Sequence, residues 1–324
     1  MPEPGGNAYG SRVHEAALGP LEHAIAQTWS ELLGRIQVGR RDHFFELGGH
    51  SLLAVKAADR IARRIGQAVP VSLLYRNPQL QSLAEALSAG MGASSGGLVP
   101  LNHRPGTPTL FLLHPVGGDV WCYQDLADSP TMDLALAGLA RAGAEPGGRM
   151  RYQGIVTMAH HHAERIIEHQ PQGPYCLAGW SMGGLIAMEV AAVLTQRGHR
   201  VAFLGLIDSA LQERFVGECD FASARRWLRA QPGSGRLRRT LALNALACHD
   251  YRPGQRGLRA HYYLAAELSD DHDGPRRLAQ CFEAPLELRS FAASHDTIVR
   301  RPVADALAGT LSRDVHRALN AISS

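Results

Sequence analysis

Residues 174–190 read PYCLAGWSMGGLIAMEV, and this stretch indicates the architecture of the larger part of the chain. The apolar run Tyr175–Ala178 is typical of a buried strand, and apolar residues then recur at helical spacing. The Gly-x-Ser-x-Gly turn between strand and helix would expose the hydroxyl of Ser181 on a strained backbone. The following helix N-terminus would offer free N–H groups to a developing oxyanion. The stretch therefore predicts a nucleophilic serine, and the flanking strand and helix argue against a chance match in a glycine-rich loop.

The sequence from residue 98 onward alternates between strand-like and helix-like segments, which favours a mostly parallel α/β sheet. Besides the strand before Ser181, the apolar runs predict strands at Thr109–Leu113, Leu134–Leu139, Val201–Ile207, Leu258–Ala265 and Leu286–Phe291. Helices are expected at 155–169, after Ser181, and at 302–319. Residues 211–257 do not fit a strand, and we expect helices there at 221–230 and 237–248.

The first 88 residues predict a small helical unit. Leu18–Leu33 has one apolar stripe, a second helix opens at Ser51, and Gln79–Leu87 forms another. Between the first two lies the segment Asp42–Ala54, with the sequence DHFFELGGHSLLA. Serine is a favoured N-cap, so capping alone could explain Ser51. A phosphate on that serine would also meet free helix N–H groups.

The segment Asp42–Ala54 closely resembles the phosphopantetheine attachment motif of peptidyl carrier domains in nonribosomal peptide synthetases. The resemblance implies a small all-α four-helix carrier bundle at residues 18–88. It also implies that Ser51 carries a covalent 4′-phosphopantetheine cofactor, added by a phosphopantetheinyl transferase. The Gly-Gly-His that precedes the serine favours the peptidyl class over the acyl carriers of polyketide synthases.

Residues 98–324 resemble the terminal thioesterase domains of the same synthetases, which are α/β-hydrolases. Residues 1–17 are then expected to be a flexible N-terminus, and the glycine-rich 89–97 a flexible linker. The family carries a mobile lid at about 211–257, although a rigid helical insertion fits this sequence equally well.

A serine nucleophile needs a base, and the base needs an orienting acid. In this fold the chain order is serine, acid, histidine. His295 follows the last predicted strand and resembles the family's histidine loop, whereas His249, His261 and His272 do not follow that strand. Asp208 ends the strand Val201–Ile207 and matches the family's acid. An acid one strand later is the alternative, which would be Glu267, Asp270 or Asp271.

The oxyanion hole needs two backbone donors. The N–H of Met182, directly after the serine, is the first. The family places the second donor after its first strand, which here is Val116 in His114-Pro-Val-Gly-Gly118.

The resemblance implies the function of a carrier–thioesterase end of a synthetase assembly line. A peptidyl thioester substrate, delivered by upstream synthetase modules, would pass from the arm to Ser181 and leave by hydrolysis or macrocyclisation. Two alternatives are a catalytically silent docking domain behind a carrier, and an editing thioesterase.

The composition excludes several other classes of protein. Hydrophobic residues make up 45% of the 324 residues, charged residues 19%, and the net charge is +3. Neither a basic stripe with aromatic residues nor an apolar run of membrane-spanning length occurs, so we expect no nucleic acid and no membrane as partners. The five cysteines have no C-x-x-C spacing and suggest a reduced, cytoplasmic protein. Residues His160–His162 lie on different sides of a helix, so we expect a polar helix face and no metal site.

Overall fold

The computed structural model describes residues 15–35, 37–49, 51–66, 69, 73–74, 77–88, 98–141, 152–211, 235–267 and 273–323. The chain divides into two compact units, Met1–Ala93 and Ser94–Ser324. Residues 1–14 of the predicted flexible N-terminus, the predicted linker 89–97 and the predicted helix at 221–230 lie outside the described residues. Within the described ranges, no helix is both long and apolar enough to cross a membrane.

The first unit is helical, as predicted. Its described helices are α1 (Gly19–Leu33), α2 (Ser51–Ile65) and α3 (Leu80–Ser88). They bury one apolar cluster whose largest side chains include Trp29, Phe44 and Ile61, each with no exposed surface. Most of residues 67–76, between α2 and α3, are not described, so the fourth helix of the expected bundle remains a prediction.

The second unit is built on a seven-stranded sheet. Its strands are β1 (Leu98–Pro100), β2 (Thr109–Leu113), β3 (Ala135–Leu139), β4 (Tyr175–Trp180), β5 (Val201–Ile207), β6 (His261–Ala265) and β7 (Glu287–Phe291). Their order is β1-β3-β2-β4-β5-β6-β7, and all neighbours are parallel except β1 and β3. The helices are α4 (Gln124–Ala127), α5 (Ile155–His169), α6 (Met182–Gln196), α7 (Gly235–Asp250), α8 (Asp273–Ala279) and α9 (Val303–Ser323). The mostly parallel α/β sheet is thus confirmed, as is the helix expected at 237–248.

Both faces of the sheet are covered by helices, because strands of a parallel sheet bury both faces. Side chains alternate along β4: Tyr175 and Leu177 join an apolar cluster with α5 and α6. Cys176 and Ala178 point to the other face and pack in a cluster with α4 and α9. A short antiparallel β1 at the sheet edge had not been expected from the sequence.

The strand order reverses between β2 and β4. The chain passes from β2 to β3 on one side and then returns to β4 on the other. The loops that leave the carboxyl ends of β2 and β4 therefore diverge and open a crevice, the usual place for a ligand in such sheets. The register pairs Leu113 with Gly179, so residues 114–118 and Ser181 follow directly from adjacent strand ends.

Candidate active site and carrier loop

Ser181 occupies the sharp turn between β4 and α6. Its backbone has φ 58° and ψ −126°, a combination that is strained for a residue with a side chain. The Ser181 N–H donates to Ile207 O at 2.9 Å, which ties the turn to the end of β5. The structure therefore gives Ser181 the conformation that the Gly-x-Ser-x-Gly pattern predicts for a nucleophile.

Glycines allow the turn to lie this close to its neighbours. A Cβ at Gly183 would lie 2.3 Å from Leu113 O, and one at Gly179 would lie 2.1 Å from the Gly183 carbonyl carbon. Both atoms belong to the backbone and cannot move aside cheaply. These contacts bring the start of α6 against the carboxyl end of β2.

His295 and Asp208 meet at the same edge of the sheet. His295 Nδ1 lies 2.7 Å from Asp208 Oδ2, and the carboxylate makes Nδ1 the protonated ring nitrogen. The other carboxylate oxygen, Oδ1, accepts from Ala265 N at 3.0 Å. Because both oxygens are held, the imidazole is fixed in one tautomer with Nε2 available as a base.

Trp180 connects the histidine loop to the nucleophile strand. Its indole Nε1–H donates to His295 O at 2.9 Å, and its ring centroid lies 5.0 Å from that of the imidazole. Among the described residues, no hydrogen bond joins Ser181 Oγ to His295. Catalytic hydrogen bonds are often long before substrate binds, so the shared sheet edge is the relevant observation.

The loop after β2 and the start of α6 present the two predicted oxyanion donors. In the described part of the chain, no backbone carbonyl accepts from the N–H of Val116 or of Met182. Tyr123 joins the two segments, since its hydroxyl donates to Leu113 O at 2.6 Å and accepts from Trp180 N at 2.8 Å. No motif in the sequence pointed to Tyr123.

The expectation of a polar face at His160–His162 is wrong for one of the three residues. His162 is only 4% exposed and packs against His114, with ring centroids 5.4 Å apart. Burial lowers the pKa of His114 to about 4 and the pKa of His162 well below its ordinary value. Both rings are therefore neutral near pH 7, and they pack against each other at the start of the loop after β2.

The alternative bases and acids occupy other surroundings. His249 lies beside Asp250, and His261 stacks on Phe203 with a centroid separation of 4.9 Å. Glu267 is exposed, and Asp270, Asp271 and His272 lie outside the described residues. The contacts of the described residues bring together Asp208 and His295.

The loop that precedes Ser51, which we call the carrier loop, packs against Phe44. A Cβ at Gly49 would lie 2.4 Å from the Phe44 ring and 2.5 Å from its carbonyl oxygen, and Gly48 has φ 98°. The Gly49 N–H donates to Phe44 O at 2.9 Å, and Phe44 N donates to Pro78 O at 2.8 Å. Two glycines are thus needed for the turn that leads into α2 at Ser51. This backbone fits a phosphate ester at the helix N-terminus.

Two family models match this chain in succession. A phosphopantetheine attachment site matches residues 23–87, and a thioesterase domain matches residues 108–218. The chain is a carrier–thioesterase didomain of the nonribosomal peptide synthetase family. Its carrier domain bears a covalent 4′-phosphopantetheine, and its second unit is a thioesterase of the α/β-hydrolase fold.

Individual relatives agree with this assignment of the didomain. Malpinin synthetase of Mortierella alpina is 35% identical over 68% of the chain, and a dimodular nonribosomal peptide synthase of Bacillus subtilis is 35% identical over 59%. The didomain spans only 3% and 8% of those proteins. A solved four-domain nonribosomal peptide synthetase shares the fold over 97% of this chain and 27% of its own length, with 24% identity and a TM-score of 0.65.

Proposed function

We propose that this didomain releases a peptidyl chain from its own carrier domain by way of an ester on Ser181. The observation that carries the proposal is the His295–Asp208 pair, held at the sheet edge beside a strained serine. An arrangement of carrier and thioesterase in this order is typical of the unit that ends a synthetase. Upstream synthetase modules would supply the peptidyl chain, and a phosphopantetheinyl transferase would modify Ser51.

The carrier's part is to present the acyl group. When attached, the phosphopantetheine supplies a thiol that holds the acyl chain as a thioester. Ser51 opens a 15-residue helix, whose N–H groups would receive the phosphate. Gly48 and Gly49 keep the preceding backbone in its tight turn.

The thioesterase's part is acyl transfer in two halves. Ser181 Oγ attacks the thioester carbonyl while His295 Nε2 takes the hydroxyl proton. Asp208 stabilises the resulting imidazolium. The N–H groups of Val116 and Met182 would face the developing oxyanion. The imidazolium then protonates the departing thiolate, leaving an acyl ester on Ser181 and a free thiol on the arm.

The second half releases the product. His295 takes a proton from water, or from an amine or hydroxyl within the acyl chain, and that nucleophile attacks the ester. Ser181 leaves with the proton returned by His295. Water gives a linear acid, and an internal nucleophile gives a ring.

A fluorophosphonate probe tests the serine. We expect the wild-type protein to be labelled, Ser181→Ala to lose labelling, and Ser129→Ala, a buried serine of the same unit, to retain it. A wild-type protein that is neither labelled nor active on a small acyl thioester would contradict the proposal and favour the silent docking domain.

A transferase reaction tests the carrier. Incubation with a phosphopantetheinyl transferase and coenzyme A should add the mass of one arm to the wild-type protein but none to Ser51→Ala. Ser82 lies on α3 of the same unit and is the control position. The variant Ser82→Ala should gain the mass of one arm, as the wild-type protein does. An unchanged gain in Ser51→Ala would refute the attachment site. Loading the arm with candidate peptides and weighing the product would then separate hydrolysis from macrocyclisation.

A further inference from the structure

A buried polar side chain from the insertion between β5 and β6 binds the loop after β2. Asn244 of α7 has no exposed surface and Arg141, which follows β3, is 3% exposed. Asn244 Nδ2 donates to Val116 O at 2.8 Å, and Arg141 Nη1 donates to Asn244 Oδ1. We call these two residues the Arg141–Asn244 clamp.

The orientation of the Asn244 amide follows from its partners. A guanidinium can only donate and a carbonyl oxygen can only accept. Oδ1 must therefore face Arg141, and the NH₂ group must face Val116 O. An amide in the opposite orientation would place like groups against each other at both ends.

Two further carbonyls of the loop, those of Pro115 and Gly118, also accept hydrogen bonds. Gly118 N donates to Pro115 O at 2.9 Å, and Arg141 N donates to Gly118 O at 2.8 Å. The carbonyl of Pro115 and the N–H of Val116 belong to one planar trans peptide, so fixing the first sets the direction of the second. With Val116 O held by Asn244, the peptide planes on both sides of Val116 are constrained.

The loop also packs closely against α7 beside the clamp. Gly118 has φ 83°, and a Cβ there would lie 2.8 Å from Thr240 Cγ2. Thr240 and Asn244 lie four residues apart and therefore on the same face of α7. One face of this helix thus supports the loop through both an apolar contact and a hydrogen bond.

We propose that Asn244 and Arg141 are positioning residues of the oxyanion hole, which hold the Val116 N–H towards the substrate carbonyl. This inference rests on the function proposed above. It makes α7, which lies in the insertion between β5 and β6, a part of the catalytic machinery rather than only a cover over the acyl site.

The expected effect is on turnover rather than on binding. Loss of an oxyanion donor costs about 10²–10³ in kcat, and a donor that remains but is misplaced should cost less. We therefore expect Asn244→Ala to lower kcat on a small acyl thioester by about 10- to 100-fold, with KM changed by less than about threefold.

Asn244→Asp separates the two halves of the clamp. The carboxylate keeps an acceptor for Arg141 but places an oxygen against Val116 O, so the donor to the loop is lost while the pairing with Arg141 remains. We expect this variant to lose kcat at least as strongly as Asn244→Ala.

Asn102→Ala is the matched control. Asn102 also binds backbone in this unit, since its Nδ2 donates to Leu134 O at 3.1 Å and its Oδ1 accepts from Leu136 N at 2.8 Å. Its removal should lower stability but leave kcat within about threefold of wild type. Rates are divided by the concentration of serine that a fluorophosphonate labels at completion, so that unfolded protein does not count.

The pH profile distinguishes positioning from general damage. The His295–Asp208 pair is untouched in all three variants, so the apparent pKa in kcat/KM should match that of wild type. Wild-type kcat in Asn244→Asp, or a loss of kcat in Asn102→Ala equal to that in Asn244→Ala, would overturn the inference while leaving the proposed function intact. A wild-type protein without thioesterase activity would overturn both.

Discussion

Replacing Ser181 with glycine should destroy activity and yet stabilise the thioesterase unit. The φ of 58° and ψ of −126° at this position suit glycine, because a Cβ is crowded by the backbone there. Ser181→Ala removes the same hydroxyl but keeps the Cβ and therefore keeps the strain. The difference between the two variants therefore reports this strain, reduced by the extra conformational freedom that glycine has in the unfolded chain.

The magnitude follows from two opposing contributions. A side chain in such a region costs about 1–3 kcal/mol, and the extra freedom of glycine in the unfolded chain costs about 0.5–1 kcal/mol. The glycine variant should therefore exceed the alanine variant by about 1 kcal/mol in free energy of unfolding. For a unit of this size, that difference raises Tm by about 2–4 °C.

Scanning calorimetry of the full didomain measures this difference. The chain forms two compact units, so the unfolding of the carrier should not respond to either substitution and provides an internal reference. Ser129 is the control site, because it is not among the residues with positive φ. There we expect the opposite order, with glycine less stable than alanine.

Two results would contradict a strained nucleophile at position 181. A Ser181→Gly variant that is less stable than Ser181→Ala, the order expected at Ser129, would mean that the turn is not strained in solution. Remaining turnover of an acyl thioester in either variant would mean that another group is the nucleophile.

Three further predictions concern the acid, the pH dependence of stability and the carrier loop. Asp208→Asn should lower kcat on a small thioester by about 10²- to 10⁴-fold, because the imidazole loses its orienting partner. Asp270→Asn should leave kcat nearly unchanged. The reverse order would assign the acid to the later strand. Burial gives His114 a pKa of about 4 in the folded protein, against an ordinary value of 6.5. Between these pH values the unfolded chain binds a proton that the folded chain does not bind, so the free energy of unfolding falls as the pH drops. The total fall from pH 6.5 to pH 4 is about 3 kcal/mol. Thermal unfolding of His114→Gln across that range should show a smaller fall, and an identical one would contradict a neutral buried ring. Gly49→Ala should destabilise the carrier by about 1–3 kcal/mol, because its Cβ would overlap Phe44, and calorimetry should show a lower transition for that unit alone.

The sequence predicted most of the elements and the family because these depend on local patterns. The alternation along β4 and the helical spacing in α6 follow from the geometry of strand and helix, so the position of Ser181 could be identified without a structure. The motif before Ser51 likewise lies within a few residues. Bounds were less certain, since the strand predicted from Leu258 begins only at His261.

The choice of acid illustrates where the local pattern stops. Asp208, Glu267, Asp270 and Asp271 all follow predicted strands or lie near their ends, and the sequence left the acid open. Asp208 lies 87 residues from His295 along the chain, and the two meet because β5 and the loop after β7 end at the same edge.

The carrier motif and the hydrolase-type serine within an α/β pattern could both be identified from the amino-acid sequence. Which distant groups support that serine is visible only in the folded chain. The hydrogen bond from Asn244 to Val116 joins residues 128 positions apart, and the one from Arg141 to Asn244 joins residues 103 positions apart. His162 is buried, although it belongs to a run of three histidines. The spacing of apolar residues indicates which face of a helix or strand is apolar. The crossover connections of the sheet determine which helices and strands meet, and no short stretch of sequence indicates those contacts.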